Sequence, residues 1–184
     1  AYALARALKE AGNQVICIVE AFKGEYLFWL DRLEEVSDRL IVTSGDRSVG
    51  AARWAKDPLK EILESEEIDR VYLVGCTFMM ATCSRAAEPF GVGTRVSLMP
   101  IMIDGTGMCG ACRVNVGGET KLACVEGPEF DGREVDWDEL MERARGYLKE
   151  EERALDLWEI DNWHLVRFRD REQDKRKKGG PRRC

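Results

Sequence analysis

The chain of 184 residues is long enough for one ordinary domain or for a domain with a small appendage, and its composition of 45% hydrophobic and 34% charged residues excludes disorder throughout. It has no apolar run of about 18 residues and no recognisable signal peptide, so we expect no membrane span and a cytoplasmic location. The net charge of −6 combines an acidic body with a basic end, because residues 167–184 hold nine Lys/Arg against three Asp/Glu. A nucleic-acid binder needs a basic face on its folded part, so we expect no nucleic-acid partner and a disordered basic tail over residues 161–184.

Residues 1–99 alternate between helix and strand patterns. The first helix is predicted to end at Gly12, and Asp57 with Pro58 is predicted to cap and open a helix that runs to about Glu66. Further helices are predicted over residues 25–37 and 78–87, and strands over residues 15–19, 39–43, 71–75 and 94–99. Apolar strands separated by helices indicate an α/β fold with a parallel sheet covered on both faces.

The first recognisable element is a helix that no strand precedes. A glycine-rich turn of the kind that receives a dinucleotide pyrophosphate is also absent from the sequence ahead of it. We therefore expect residues 1–99 to form a truncated NAD(P)-binding domain that lacks its first, central strand. The neighbouring strand edges should then be left unpaired.

The character of the sequence changes after residue 99. Gly117 and Gly118 suit a tight hairpin turn, which predicts a small β appendage over residues 100–132. Asp136 is expected to cap a helix that runs to about Trp158, within a C-terminal helical region over residues 133–160.

The appendage contains a cysteine-rich loop, "DGTGMCGACRVNVGGETKLAC", at residues 104–124. Seven cysteines without a secretory signal argue for reduced thiols, and clustered thiols indicate metal or redox chemistry. Asp104, Cys109, Cys112 and Cys124 follow the spacing D-x4-C-x2-C-x11-C, which is the plant-type [2Fe–2S] spacing with one carboxylate in place of a thiolate. Glycines in the loop allow the backbone to wrap closely and to point N–H groups at sulfur.

Zinc is the competing interpretation of the same cysteines. Structural zinc sites use four thiolate or imidazole donors, usually as two C-x2-C-like pairs, whereas this chain has one such pair and a single, distant His164. The spacing therefore favours iron and sulfide, while a zinc-stabilised interaction module without redox activity stays open as the alternative function.

The sequence "SLMPIMIDGTGMCGACRVNVGGETKLACVEGPEFDGREVDWDELMERA" resembles the C-terminal signature of dihydroorotate dehydrogenase electron-transfer subunits. It is most similar to their relatives in NADH-dependent ferredoxin:NADP oxidoreductase and sulfide dehydrogenase. The resemblance implies a 2Fe-2S cluster held by Asp104, Cys109, Cys112 and Cys124. Dihydroorotate dehydrogenase subunits usually have cysteine at the position of Asp104, so the aspartate favours the ferredoxin:NADP branch.

The same resemblance implies a ferredoxin-reductase-type NAD(P)-binding domain. In "VGCTFMM", Gly75, Cys76, Thr77 and Met79 would lie at a strand-end turn near the nicotinamide. In "VTSGDRSVG", Asp46 would lie near the adenosine ribose, while the neighbouring Arg47 leaves the choice between NAD and NADP open.

Several of the residues in these segments also have purely structural interpretations. Cys76 could be a small buried residue, Met79 and Met80 could fill the core, and Cys83 is expected to pack. Phe28 and Trp29 are expected to be core residues of an amphipathic helix.

In such proteins NADH reduces FAD, and single electrons then leave through the cluster to a catalytic flavin/iron-sulfur partner subunit. The resemblance thus implies an electron-transfer subunit of an NAD(P)H-dependent oxidoreductase. The sequence contains no FAD domain, so we expect the isolated chain to lack oxidoreductase activity of its own and to bind NADH weakly.

Overall fold

A computed structural model of the protein describes residues 1–50 and 54–162. The strands are β1 (Ile16–Ala21), β2 (Arg39–Ser44), β3 (Arg70–Val74), β4 (Gly93–Ser97), β5 (Arg113–Val116), β6 (Glu119–Leu122) and β7 (Glu129–Asp131). The α-helices are α1 (Tyr2–Glu10), α2 (Leu30–Glu35), α3 (Lys56–Ser65), α4 (Thr77–Ala87), α5 (Ala123–Glu126), α6 (Trp137–Ala144) and α7 (Leu148–Asp161). The expected basic tail, with Trp163 and His164, lies almost wholly outside the described residues.

Parallel strand pairs separated by helices make up the first part of the chain. β1 pairs with β2 from Ile16 opposite Arg39, and β3 pairs with β4 from Arg70 opposite Gly93, both in parallel register. Helical crossovers connect these strands, as parallel pairing requires. The α/β fold predicted from the apolar runs is therefore confirmed.

Two antiparallel pairings follow. β5 and β6 form the predicted hairpin through Gly117 and Gly118, which both have positive φ angles. β7 returns to the first part of the chain and pairs antiparallel with β4. Residues beyond the hairpin therefore extend the β3–β4 sheet.

One hydrophobic core joins the sheet to the hairpin. Met80, Val96 and Leu98 are completely buried, and the same cluster includes Val114 and Val116 of β5. The domain boundary expected after residue 99 stays a prediction. Side chains on both sides of it belong to this one core. A first compact unit extends from Ala1 to Met141, and a second begins at Glu142.

Three local predictions about helices were wrong. Residues 25–37 form a short 3-10 turn followed by α2, and Phe28 and Trp29 are 71% and 50% exposed instead of core. Helix α3 begins one residue before Asp57, with Ala55 at its N-cap. The single helix expected up to Trp158 is two helices, α6 and α7.

Helix termini elsewhere follow the sequence signals. Gly12 adopts a φ of 83° just after α1, which suits a residue without a Cβ atom. The Asp136 carboxylate accepts a hydrogen bond from the backbone N–H of Glu139 at 2.9 Å and thereby caps α6 as predicted. Within the described ranges, no helix is both long enough and apolar enough to cross a bilayer.

Candidate metal centre

The loop between β4 and β5 folds around the carboxylate of Asp104. Its Oδ1 accepts a hydrogen bond from the Thr106 N–H at 2.7 Å, and its Oδ2 accepts one from the Cys109 N–H at 2.9 Å. These backbone N–H groups, first that of Thr106, lower the pKa of Asp104 below its usual value. The carboxylate is therefore held ionised beside Cys109.

The β5–β6 hairpin brings the other two cysteines together. Cys112 directly precedes β5 and Cys124 lies in α5, directly after β6, so the hairpin register sets them side by side. Their Sγ atoms are 3.3 Å apart, and the Ala123 N–H donates to the Cys112 carbonyl at 3.1 Å. The side chain of Cys112 is buried, whereas Cys124 is half-buried.

Backbone N–H groups favour a thiolate at Cys112. The N–H of Cys124, the Cys124 side chain and the N–H of Ala123 hydrogen-bond to its sulfur and lower the pKa of Cys112. The pKa of Cys124 is raised, first by the hydrogen bond to Cys112, although the Gly107 N–H opposes this effect. Because two anionic sulfurs at this distance repel each other, a cation between them would stabilise both thiolates.

The four predicted ligands fall into two pairs. Asp104 is hydrogen-bonded to Cys109, and Cys112 contacts Cys124. Across residues 1–50 and 54–162, no three Cys, His, Asp or Glu side chains converge closely enough to hold a single metal ion. The arrangement offers two possible metal ligands at each of two places, Asp104 with Cys109 and Cys112 with Cys124.

Glycine is required at one position of the loop. Gly107 has a φ of 85°, and a Cβ atom there would lie 2.8 Å from Cγ2 of Val125. The nearby Gly105 also has a positive φ, of 76°, but a Cβ atom there would meet nothing within 4 Å. Close packing against α5 therefore explains Gly107, a contact that the sequence pattern could not reveal.

Exposed apolar side chains lie within the loop and in the segments next to it, and we call this set the apolar rim. The exposed side chains that form it are Met99, Ile101, Met102, Ile103, Met108 and Val125. Met108, between Asp104 and Cys109, is 88% exposed, and Ile103 is 75% exposed. Clustered exposed apolar side chains are typical of a surface that contacts another protein.

The residues expected near a nicotinamide lie where β3 ends and α4 begins. Gly75 follows β3, exposed Cys76 is the N-cap residue of α4, and Thr77 opens the helix. A Cβ atom at Gly75 would lie 2.5 Å from Cε of Met79, which packs half-buried against the core. The interpretation of Cys76 as a small buried residue is therefore wrong.

Met80 and Cys83 pack in the core, as their structural interpretation predicted. Met80 is fully buried in the core. Cys83 is also buried, and burial raises its pKa to about 12, so it stays a packed thiol.

The Asp46 turn lies at the carboxyl end of β2. Its Oδ1 accepts hydrogen bonds from the Ser48 hydroxyl at 2.7 Å, the Ser48 N–H at 3.1 Å and the Gly24 N–H at 3.3 Å. The hydrogen bond from the Ser48 hydroxyl is the main cause that lowers the pKa of Asp46. The Oδ1 atom of Asp46 is thus occupied by hydrogen bonds within the protein, which the sequence did not predict. Arg47 beside it has a φ of 62°.

The described chain combines the parallel strand pairs of an α/β fold with a loop and hairpin that carry a carboxylate and three thiols in two pairs. Residues 100–136 match the family described as the iron-sulfur cluster binding domain of dihydroorotate dehydrogenase B. This match covers all four predicted ligand residues and the whole cysteine loop.

Curated relatives support the same relationship over a longer range. The dihydroorotate dehydrogenase B electron transfer subunit homolog of Thermotoga maritima is 48% identical over 150 residues, which is 82% of this chain and 53% of that protein. A probable electron transfer subunit from Methanocaldococcus jannaschii is 33% identical and aligns with 66% of this chain and 46% of its own length. The chain spans about half the length of the curated relatives it matches.

A solved structure of NADH-dependent reduced ferredoxin-NADP oxidoreductase contains a similar chain. The TM-score is 0.76 and the sequence identity 46%, with 85% of this chain and 56% of that chain covered. The chain is therefore related to the dihydroorotate dehydrogenase B electron transfer subunits and their ferredoxin-NADP oxidoreductase counterparts, as the sequence resemblance predicted.

Proposed function

We propose that the protein is part of an electron-transfer subunit in which Asp104, Cys109, Cys112 and Cys124 hold a 2Fe-2S cluster. The observation that carries this proposal is the division of the four side chains into two pairs. Each iron of such a cluster takes two protein ligands, so Asp104 with Cys109 suits one iron and Cys112 with Cys124 suits the other.

The donor set fits a cluster better than zinc. A structural zinc site needs four donors around one ion, whereas no three candidate donors converge in the described part of the chain. Backbone N–H groups lower the pKa of Asp104 and that of Cys112, which favours the anionic forms that bind a positively charged iron centre. The cluster would supply one-electron transfer, and the four side chains would hold it.

The location of the loop suits transfer to another protein. Asp104 and Cys109 are exposed, and Ile103 and Met108 of the apolar rim, also exposed, directly precede them in the chain. A catalytic flavin/iron-sulfur partner subunit that covers this rim would approach the cluster and exclude water from it. We place this exchange in the cytoplasm, where thiols stay reduced.

The α/β part of the chain is the proposed NAD(P)H side of the same subunit. Gly75, Cys76, Thr77 and Met79 lie beyond the carboxyl end of β3, and Asp46 lies beyond that of β2. Ligands of parallel sheets bind at the carboxyl ends of the strands. In the whole protein, NAD(P)H would reduce FAD and the cluster would carry the electrons onward singly.

Metal analysis of protein purified without oxygen tests the proposal. We expect iron and acid-labile sulfide in equal amounts, a reddish-brown colour and no stoichiometric zinc. Cys112→Ala should lose the iron, whereas Cys76→Ala, which removes an exposed thiol outside the loop, should retain it. Colourless protein with one zinc would instead establish the zinc-stabilised module.

A further inference from the structure

Two of the three loop cysteines already lie in contact with each other. The Sγ atoms of Cys112 and Cys124 are 3.3 Å apart, and small side-chain rotations bring them to the disulfide bonding distance of about 2.05 Å. The backbone beside them is held in place, because the Ala123 N–H donates to the Cys112 carbonyl at 3.1 Å. The pair therefore needs no rearrangement of the β5–β6 hairpin in order to join.

The sequence motif points to a different pair of cysteines. Cys109 and Cys112 form a C-x2-C motif, the spacing that redox proteins use for a reversible disulfide. In the structure, however, Cys109 hydrogen-bonds to Asp104 through both its N–H and its side chain. Across the described part of the chain, no third Cys, His, Asp or Glu side chain joins Cys112 and Cys124 closely enough to share a metal ion. The geometry thus separates Cys109 from the sulfur pair.

The two sulfurs of the pair differ in their access to solvent. Cys112 is 2% exposed, whereas Cys124 is half-buried. A small reagent in solution therefore reaches Cys124 first, and Cys112 lies where it can attack the Cys124 sulfur from inside the protein. A buried thiol in contact with a more accessible one suits the role of a resolving cysteine.

We propose that, in the chain without bound metal, Cys112 and Cys124 form a reversible disulfide by exchange with a low-molecular-weight disulfide such as oxidised glutathione. The Cys124 sulfur attacks one sulfur of the reagent, whose S–S bond breaks and releases one thiol. The Cys112 sulfur then attacks the Cys124 sulfur, the mixed disulfide breaks, and the second thiol leaves. The two cysteine protons go to the two released thiols, and the two electrons lost by the cysteines reduce the reagent.

This disulfide and a bound metal exclude each other. A sulfur that is part of a disulfide offers no thiolate to a metal, so the oxidised chain lacks two of the four proposed ligands and retains Asp104 and Cys109. The consequence for the metal rests on the proposed function, whereas the disulfide rests on the contact between the two sulfurs. The site thereby has a second, covalent state that small thiols reverse.

Peptide mapping of the full chain, prepared without metal, tests the proposal. The reduced protein is incubated with oxidised glutathione, the remaining free thiols are blocked, and trypsin then cuts the chain into peptides. Cys109 and Cys112 fall in peptide 96–113, and Cys124 falls in peptide 122–133. We expect a disulfide to join these two peptides and dithiothreitol to separate them.

Two matched variants identify the sulfurs that react. Cys109→Ala removes the C-x2-C alternative and should leave the yield of joined peptides unchanged. Cys112→Ala should abolish the joined peptides and leave glutathione attached to Cys124, because the resolving sulfur is gone. Iron uptake is a separate measurement, in which the oxidised chain should bind at least tenfold less iron than the reduced chain.

Each other result of the mapping overturns the proposal. A disulfide within peptide 96–113 would make Cys109 and Cys112 the redox pair. Joined peptides that disappear in Cys109→Ala would make Cys109 the partner of Cys124, and joined peptides found only in covalent dimers on a non-reducing gel would place the bond between two chains. Glutathione retained on Cys124 of the unchanged chain would show that Cys112 does not resolve it.

The iron measurement separates this proposal from the proposed function. Full iron uptake by the oxidised chain would contradict the exclusion of metal by the disulfide. A reduced chain that binds no iron would contradict the proposed function instead, and the peptide map would still decide whether the disulfide forms.

Discussion

The sulfur atoms of Cys112 and Cys124 lie 3.3 Å apart although the residues are 12 positions apart in the sequence. The hairpin β5–β6 creates this proximity, because Arg113 pairs with Leu122 at its base. Asp104 and Cys109 form the corresponding pair without any strand between them, through the hydrogen bonds of one tight loop. Two different local structures therefore prepare the two halves of the proposed cluster site.

Replacement of Gly107 tests the packing of this loop. We expect Gly107→Ala to lower the iron content of the purified protein strongly, because its Cβ atom would lie 2.8 Å from Val125 and the backbone has a positive φ. Gly105→Ala is the control, since it has a similar φ but open space around its Cβ position. Equal iron content in both variants would contradict the role of the Val125 contact.

Replacement of Asp104 tests the carboxylate as a ligand. Asp104→Cys should retain the cluster and shift its midpoint potential upward, because a carboxylate is a harder donor that favours ferric iron over ferrous iron. A spectroelectrochemical titration measures the shift. An unchanged potential would mean that Asp104 does not contact the metal.

Gly132 is expected to be essential for stability. A Cβ atom there would lie 2.6 Å from the Ser84 hydroxyl oxygen, 2.7 Å from that of Thr94 and 2.8 Å from Val96. These neighbours are buried, so Gly132→Ala should lower the free energy of unfolding by about 1–3 kcal/mol, as overpacking does. Thermal denaturation measures the loss.

Gly93→Ala provides the comparison for that experiment. Gly93 has nothing within 4 Å of its Cβ position and no positive φ. Its thermal midpoint should stay close to that of the unchanged protein. A loss as large as that of Gly132→Ala would rule out the steric explanation.

Acid should weaken the contact between Asp131 and Arg133. The guanidinium donates to the carboxylate at 2.6 and 3.0 Å and holds the pKa of Asp131 below its usual value of 3.8. Because the folded-state pKa is the lower one, the contact stabilises the protein above the unfolded-state pKa and is lost as pH falls through the folded-state pKa.

Solvent screening limits how much the contact between Asp131 and Arg133 contributes to the free energy of unfolding. Arg133 is largely exposed, so the contribution should be below about 1 kcal/mol. Urea denaturation between pH 6 and 3 should show a shallower decline in Asp131→Asn than in the unchanged protein. Identical pH profiles would contradict the assignment.

The sequence predicted elements whose signals are local. Apolar runs located β1 to β4, and Asp136 located the start of α6. The helix break after α6 also had a local signal, since Gly146 lies in it and glycine disfavours helix interiors. The prediction of one helix up to about Trp158 rested on the Asp136 cap and on a charge distribution that suits the helix dipole, and it passed over this glycine.

Tertiary contacts explain what the sequence did not predict. β7 has only three residues, and its pairing with β4 joins segments more than 30 positions apart. Phe28 and Trp29 follow a helical apolar pattern, yet Trp29 has a left-handed φ of 57° at the start of α2 and contacts Tyr2 edge-on at 5.8 Å. The four proposed ligand residues were predicted from spacing and from the family resemblance, but their division into pairs required the fold of the loop and hairpin.

Mössbauer spectroscopy of protein loaded with ⁵⁷Fe tests the central claim most directly. Two irons, one with an oxygen and a sulfur ligand from the protein and one with two sulfur ligands, should give two distinct ferric signals of equal area in the oxidised protein. One symmetric signal, or a protein that binds no iron, would contradict the account.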